Sequence, residues 1–152
     1  MTNARSPAAV GGCQCGAVRY ALYVAPRNAH VCHCRMCQRA TGGLFAALAG
    51  APKTDFAWTK GEPAMFASSN LASRAFCRDC GTPLSFSYNL PEARFYVTIG
   101  SLDNPGAVPI LMQYGTESRV PWVKFCEETA CEPTGADPKA AVFLAALSSN
   151  QS

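Results

Sequence analysis

The stretch "FCRDCG", residues 76–81, sets two cysteines at knuckle spacing and places a glycine after the second. "GGCQCG", residues 11–16, repeats the theme near the start of the chain. In an extended segment Cys13 and Cys15 point to one face, with Gln14 opposite. Gly81 tolerates a left-handed turn and lets backbone N–H groups approach the sulfurs. Four thiolates drawn from the two halves, Cys13, Cys15, Cys77 and Cys80, close a tetrahedral structural zinc site. That site ties the first strand to the middle of the chain. Its contribution is on the order of 10 kcal/mol, because an unfolded chain has no preformed site. Packing of free cysteines as small hydrophobes is the competing reading, but it leaves the paired Cys–Gly knuckles unexplained.

Composition sets the frame for this staple. The chain has 152 residues, enough for one domain with a sizeable core. Hydrophobic residues make up 49% and charged residues 15%, which reads as globular. A formal net charge of +3 without a run of lysines or arginines gives no support to nucleic-acid or membrane-surface partners. The N-terminal "MTNARSPAAV" has no apolar core of a secretory signal, and no stretch of about 18 apolar residues exists to span a bilayer. A cytoplasmic location follows as the expectation. Nine cysteines in a reducing compartment then argue for metal binding over disulfides.

Between the cysteines run short strands. "VRYALYV" (18–24) alternates with Val18, Tyr20, Leu22 and Val24 on one face, the pattern of a half-buried strand. "LFAALA" (44–49), "DFAW" (55–58), "AMFAS" (64–68), "RAFC" (74–77), "PLSFSY" (83–88) and "RFYVTIG" (94–100) read the same way. Turns at "GAPKT", "TKGEP", "CGTP" and "NLPEA" separate them. The class is mainly β, a sandwich or barrel-like sheet. One helix is expected, over "DPKAAVFLAAL" (137–147), with Asp137 as cap, Pro138 at the first helical position, and Ala140, Phe143, Leu144 and Leu147 on one face. The chain divides into an N-terminal tail (1–10), a zinc domain (11–132) and a C-terminal extension with the helix (133–152).

"VCHCRMCQRATGG" (31–43) crowds Cys32, Cys34 and Cys37 together and stops at three. Cys32 and Cys34 share a face, and a turn after Arg35 brings Cys37 to them, while His33 points away. Three protein ligands and one vacancy are the arrangement of a catalytic zinc. Thiolate ligands leave the metal electron-rich and match it to a fourth, substrate sulfur better than to an activated water. A second structural site completed by His30, Cys126 or Cys131 stays open as an alternative. The four-cysteine spacings of an iron–sulfur cluster are absent.

"GGCQCGAVRY", "CHCRMCQRATGG", "RAFCRDCGTPL", "IGSLDNP" and "ESRVPW", in this order from about Gly11 to Trp122, resemble the glutathione-dependent formaldehyde-activating family, which shares its domain with centromere protein V. The resemblance implies an Mss4-like (β-tent) fold with two zinc sites; two zinc ions per chain are expected, the second able to be labile. Cys13, Cys15, Cys77 and Cys80 match the structural ligands, and Cys32, Cys34 and Cys37 the catalytic ones. It also implies a carbon–sulfur lyase of the S-(hydroxymethyl)glutathione synthase type, joining formaldehyde to glutathione. The sequence departs from the family at "ILMQYG" (110–115), where a histidine often follows the proline, and adds Cys126, Cys131 and the helical tail.

The expected partners are therefore a small thiol and an aldehyde, with a homo-oligomer compatible with the sequence. Arg35 and Arg39 flank the cluster and can pair with substrate carboxylates. Thr41, Gly42 and Gly43 form a turn open to close approach by a ligand. Ser101 and Asp103 in "GSLDNP" read as turn chemistry before Pro105, and Trp122 as a core or pocket-wall aromatic. Two rivals use the same fold: a zinc hydrolase acting on a small carbonyl or imine compound, and a non-enzymatic zinc-stapled binding module.

Overall fold

Strand β1 (Ala9–Gly12) pairs antiparallel with β2 (Arg19–Leu22), and β2 pairs with β5 (Phe56–Lys60), to make a three-stranded sheet in the computed structural model, which describes residues 5–124 and 130–148. The alternation read in "VRYALYV" is realised, with Val18, Tyr20 and Leu22 all buried. Arg5 ties the chain ahead of β1 to this sheet through Asp55 and the Tyr23 carbonyl.

The remaining strands form one eight-stranded sheet. They are β3 (Arg27–Cys32), β4 (Ala46–Ala51), β6 (Ala64–Ala67), β7 (Ala72–Phe76), β8 (Pro83–Tyr88), β9 (Phe95–Thr98), β10 (Met112–Tyr114) and β11 (Ala130–Glu132). The order is β11-β10-β3-β4-β9-β8-β7-β6. Pairing is antiparallel except at β10, which runs parallel to both β3 and β11. The mainly β expectation holds, as do the strand-forming segments within a residue or two at their ends.

The two sheets meet over an aromatic seam. Phe56 lies 3.9 Å by ring centroids from Phe95 and 4.8 Å from Trp58, and Tyr20 packs on both Phe56 and Trp58. Small residues on the facing strands, Ala49 and Ala51, let these rings sink in, and Leu22, Leu84 and Val97 fill the rest of the core. "GSLDNP" braces this seam: Ser101 shares a 2.7 Å hydrogen bond with the Tyr20 hydroxyl, and Asp103 takes both ends of the Arg19 guanidinium. Turn chemistry is thus joined by a salt bridge that fastens the turn to β2.

Helix α2 (Pro138–Ala145) forms where expected, with the Asp137 carboxylate accepting from the Lys139 N–H at 2.9 Å and Pro138 at its start. Its expected apolar face is half-buried: Phe143 meets the Tyr88 ring edge-on at 4.9 Å. Asn70 holds the helix end, donating to the Ala146 carbonyl and accepting from the Ser148 N–H. A second helix, α1 (Arg35–Thr41), stands where a simple turn was expected. Trp122 corrects another expectation, since it is 73% exposed and contributes nothing to the core. No helix among the described residues is long and apolar enough to cross a membrane.

Candidate metal centres

The first cysteine group sits at the junction of the two sheets. Cys13 and Cys15 follow β1 of the small sheet, and Cys77 and Cys80 follow β7 of the large one. The 13–16 segment is a tight turn, not extended chain: the Gly16 N–H bonds the Cys13 carbonyl at 3.1 Å, and Gly16 takes a φ of 75°. Gly81 plays the matching part in the second half, with a φ of 74° and its N–H on the Cys77 carbonyl at 2.9 Å. Sulfur separations are 3.5 Å for Cys13–Cys15 and 3.7 Å for Cys15–Cys77, and all four sulfurs lie within 4.8 Å of one another. A tetrahedral zinc with bonds near 2.3 Å sets its sulfurs about 3.8 Å apart, so the donor set fits that ion. The Val18 N–H points at the Cys13 sulfur at 3.2 Å, the outer hydrogen bond expected of a metal-bound thiolate.

The second group is built by the end of β3 and the start of α1. Cys32 closes the strand. Cys34 caps the helix, its sulfur accepting from the Cys37 N–H at 3.4 Å, and Cys37 lies in the first turn. Helix winding, in place of a loose turn, brings the three sulfurs within 4.8 Å of one another. No fourth metal-binding side chain joins them among the described residues. His30 is engaged elsewhere: its Nδ1 meets the Asn28 carbonyl oxygen at 2.7 Å, and its ring packs between Tyr96 and Tyr114. Cys131 lies beside Gln113, whose Nε2 donates to its sulfur at 3.5 Å, and Cys126 falls outside the described residues. His33 turns away from the sulfurs, as expected, and is fully buried with Nε2 on the Gln113 side-chain oxygen at 3.0 Å.

Two features unmarked in the sequence shape this second group. Arg74, on β7, is buried at 9% exposure and donates from Nη2 to the Cys37 sulfur at 3.3 Å and from Nε to the Ser68 hydroxyl at 3.0 Å. Its cross-strand neighbour Phe86 lies under the guanidinium, 4.8 Å to the ring centroid. Hydrogen bonds from Cys32 and Cys34 draw the Cys37 thiol down to about 3, and the Arg74 charge adds to the shift. The same hydrogen bonds push Cys32 up. Burial, followed by the charge on these sulfurs, pushes the Tyr88 phenol up to about 12, so it stays a neutral O–H.

The other feature is Gly115, at the end of the departing segment "ILMQYG". β10 lies along β3 with Tyr114 opposite Cys32, and the Tyr114 carbonyl accepts from the His33 N–H at 2.8 Å. Gly115 has a φ of 63°, and a Cβ there would stand 2.8 Å from the Cys34 nitrogen and 3.2 Å from its Cβ. Gly115→Ala is therefore expected to displace Cys34 and strain the backbone by about 1–2 kcal/mol. Zinc affinity at the second group should fall by about tenfold or more while the first group keeps its metal. Competition with a chromophoric chelator reads both sites, and equal affinities in variant and wild type would refute this.

Of the residues expected to meet substrate, Arg35 is turned onto the Gln38 side chain. Gln38 in turn donates to the His33 and Ser118 carbonyls. Arg39 and Thr41 instead line a cavity of about 540 Å³ that runs from α1 to the first cysteine knuckle. Thr41 ends α1 with its hydroxyl donating to the Cys37 carbonyl at 2.9 Å, and Gly42 is the left-handed helix cap at φ 67°.

The model of the glutathione-dependent formaldehyde-activating enzyme family matches residues 8–118, a span that contains every cysteine of both groups. The chain belongs to this family. An uncharacterized lyase of Schizosaccharomyces pombe is 28% identical over 87 residues, 57% of this chain and 63% of that protein, so the match spans under two thirds of the relative. A Rhodobacter sphaeroides protein of known crystal structure aligns with a TM-score of 0.47 at 22% identity, over 81% of this chain and 99% of its own. Members of the family are described by a glutathione- and formaldehyde-directed activity. Among the described residues, seven cysteines gather into two separate groups, one of four and one of three.

Proposed function

We propose that the chain is a carbon–sulfur lyase-type enzyme that makes or breaks adducts between a thiol of the glutathione kind and formaldehyde or another small aldehyde. Membership of the family supports the reaction class. The observation that carries the reading is the second group itself: three convergent cysteine sulfurs with no fourth side-chain donor among the described residues. Its soft, all-sulfur donor set suits zinc, held by Cys32, Cys34 and Cys37, with Cys13, Cys15, Cys77 and Cys80 holding a structural one. Bound there, zinc would supply a soft Lewis acid with a coordination position left for a substrate sulfur.

The chain's own residues supply the rest. Arg74 donates to the Cys37 sulfur and draws off part of the charge that three thiolates bring together. Phe86 and Tyr96 pack against the same apolar cluster as Cys37, with Ala46 and Leu48 at its centre. Neither histidine joins the three sulfurs: His33 sets Nε2 on Gln113, and His30 sets Nδ1 on the Asn28 carbonyl. Arg39 and Thr41 face the cavity in which the non-reacting part of a substrate would lie.

The test is zinc per chain on protein purified without chelator, before and after glutathione, together with the rate of adduct formation from glutathione and formaldehyde. About two zinc ions are expected, one becoming exchangeable when the thiol arrives. A single zinc indifferent to glutathione, with no thiol-dependent turnover, would overturn the reading.

A further inference from the structure

Arg74 raises a question of charge. A buried guanidinium is costly unless paired, and it carries five N–H donors. Among the described residues Arg74 has two hydrogen-bond partners, the neutral Ser68 hydroxyl and the Cys37 sulfur, and no carboxylate. When Cys37 gives its charge to a metal, that sulfur balances the arginine only in part. The unused donors belong to a side chain that lines the 540 Å³ cavity, a volume typical of small-molecule sites. Arg39 lines it too, and among the described residues no acidic side chain does. The rest of the wall is largely apolar, with Phe66, Phe76 and Pro83, and Phe66 stands directly across the β6–β7 ladder from Arg74.

We infer that this cavity binds a small carboxylate with an apolar body. The carboxylate pairs with the free edge of the Arg74 fork, Arg39 adds a second positive charge at the wall, and the body lies against Phe66, Phe76 and Pro83. Arginine is the residue suited to this task because its planar donors match both carboxylate oxygens. The second positive charge offsets the negative charge of the nearby thiolates, which would otherwise repel an anion. The inference deepens the thiol–aldehyde reading, on which it rests only for calling the ligand part of a substrate: the cavity would hold the acid-bearing end while the reacting sulfur sits at the three cysteines. It also makes Arg74 a shared element, touching a metal ligand on one side and the substrate on the other.

The probe is 3-phenylpropanoate, with its neutral amide, 3-phenylpropanamide, as the control. Binding to the zinc-loaded protein is followed by calorimetry with no thiol or aldehyde present. The acid is expected to bind about tenfold tighter than the amide, as a charge-assisted pair predicts. Arg74→Gln should erase that preference and leave amide binding unchanged. Arg74→Lys should keep only part of it, because a point charge replaces the fork. Because a change at buried Arg74 can disturb folding, exposed Arg39→Gln provides an independent arm, expected to weaken the acid by about threefold and spare the amide. Equal binding of acid and amide by the wild type, no binding of either, or an acid preference surviving in a folded Arg74→Gln would each overturn the inference. Acid binding in a protein that shows no thiol–aldehyde turnover would count against the lyase reading alone.

Discussion

Cys77→Ser is expected to abolish the cooperative thermal transition and to yield a chain with no stable fold. Cys77 is 1% exposed, and its sulfur belongs to the group that joins the turn after β1 to the turn after β7. These turns belong to different sheets, so the site bridges the two layers of the fold. A structural zinc contributes on the order of 10 kcal/mol in such a position, against a total stability of about 5–15 kcal/mol for a domain of this kind. Removing one thiolate also leaves Cys13 and Cys15 with their sulfurs 3.5 Å apart and without the ion that compensates them. Circular dichroism melts of the variant, and of the wild type with a strong zinc chelator, should agree. Acid should act in the same direction, since protons compete with zinc for the thiolates and the site is lost as pH falls. A variant that melts like the wild type would remove the staple from the account of this fold.

The same residue shows what a sequence makes legible. Cysteine pairs with a following glycine announce themselves because metal geometry limits their spacing, and the left-handed turn at Gly81 is as expected, whereas the 13–16 segment, expected extended, folds into a turn at Gly16. Alternation in "VRYALYV" and "PLSFSY" is equally local, as is the Asp137–Pro138 start of α2. Helix α1 is different. Its seven residues have no repeating apolar face, and its cap is a cysteine sulfur instead of the Ser, Thr, Asp or Asn that usually marks a start. β10 is three residues long and owes its existence to parallel partners far away in the chain, which no local pattern records. Arg74 is the sharpest case. On a strand an arginine reads as solvent-facing, and only the fold reveals the sulfur of Cys37 and the ring of Phe86 that hold it inside.

Cys34→Ser should have the opposite profile from Cys77→Ser: the fold survives while the second zinc and the thiol-dependent activity are lost. Cys34 does two jobs, as metal ligand and as cap of α1. Serine can take over the second job, because its hydroxyl is among the preferred caps and reaches the same Cys37 N–H. It cannot take over the first, because a neutral hydroxyl is a poor donor to a soft thiolate-bound metal. The substitution therefore separates coordination from helix formation, which Cys37→Ser would not do: Cys37 is buried and its loss would strand the Arg74 guanidinium without its sulfur. The expected readings are one zinc fewer per chain, a melt within a few degrees of wild type, and a fall in adduct formation of about a hundredfold or more. Loss of folding would recast the three cysteines as a second structural site. Full activity with the metal gone would mean that the chemistry is done elsewhere in the chain.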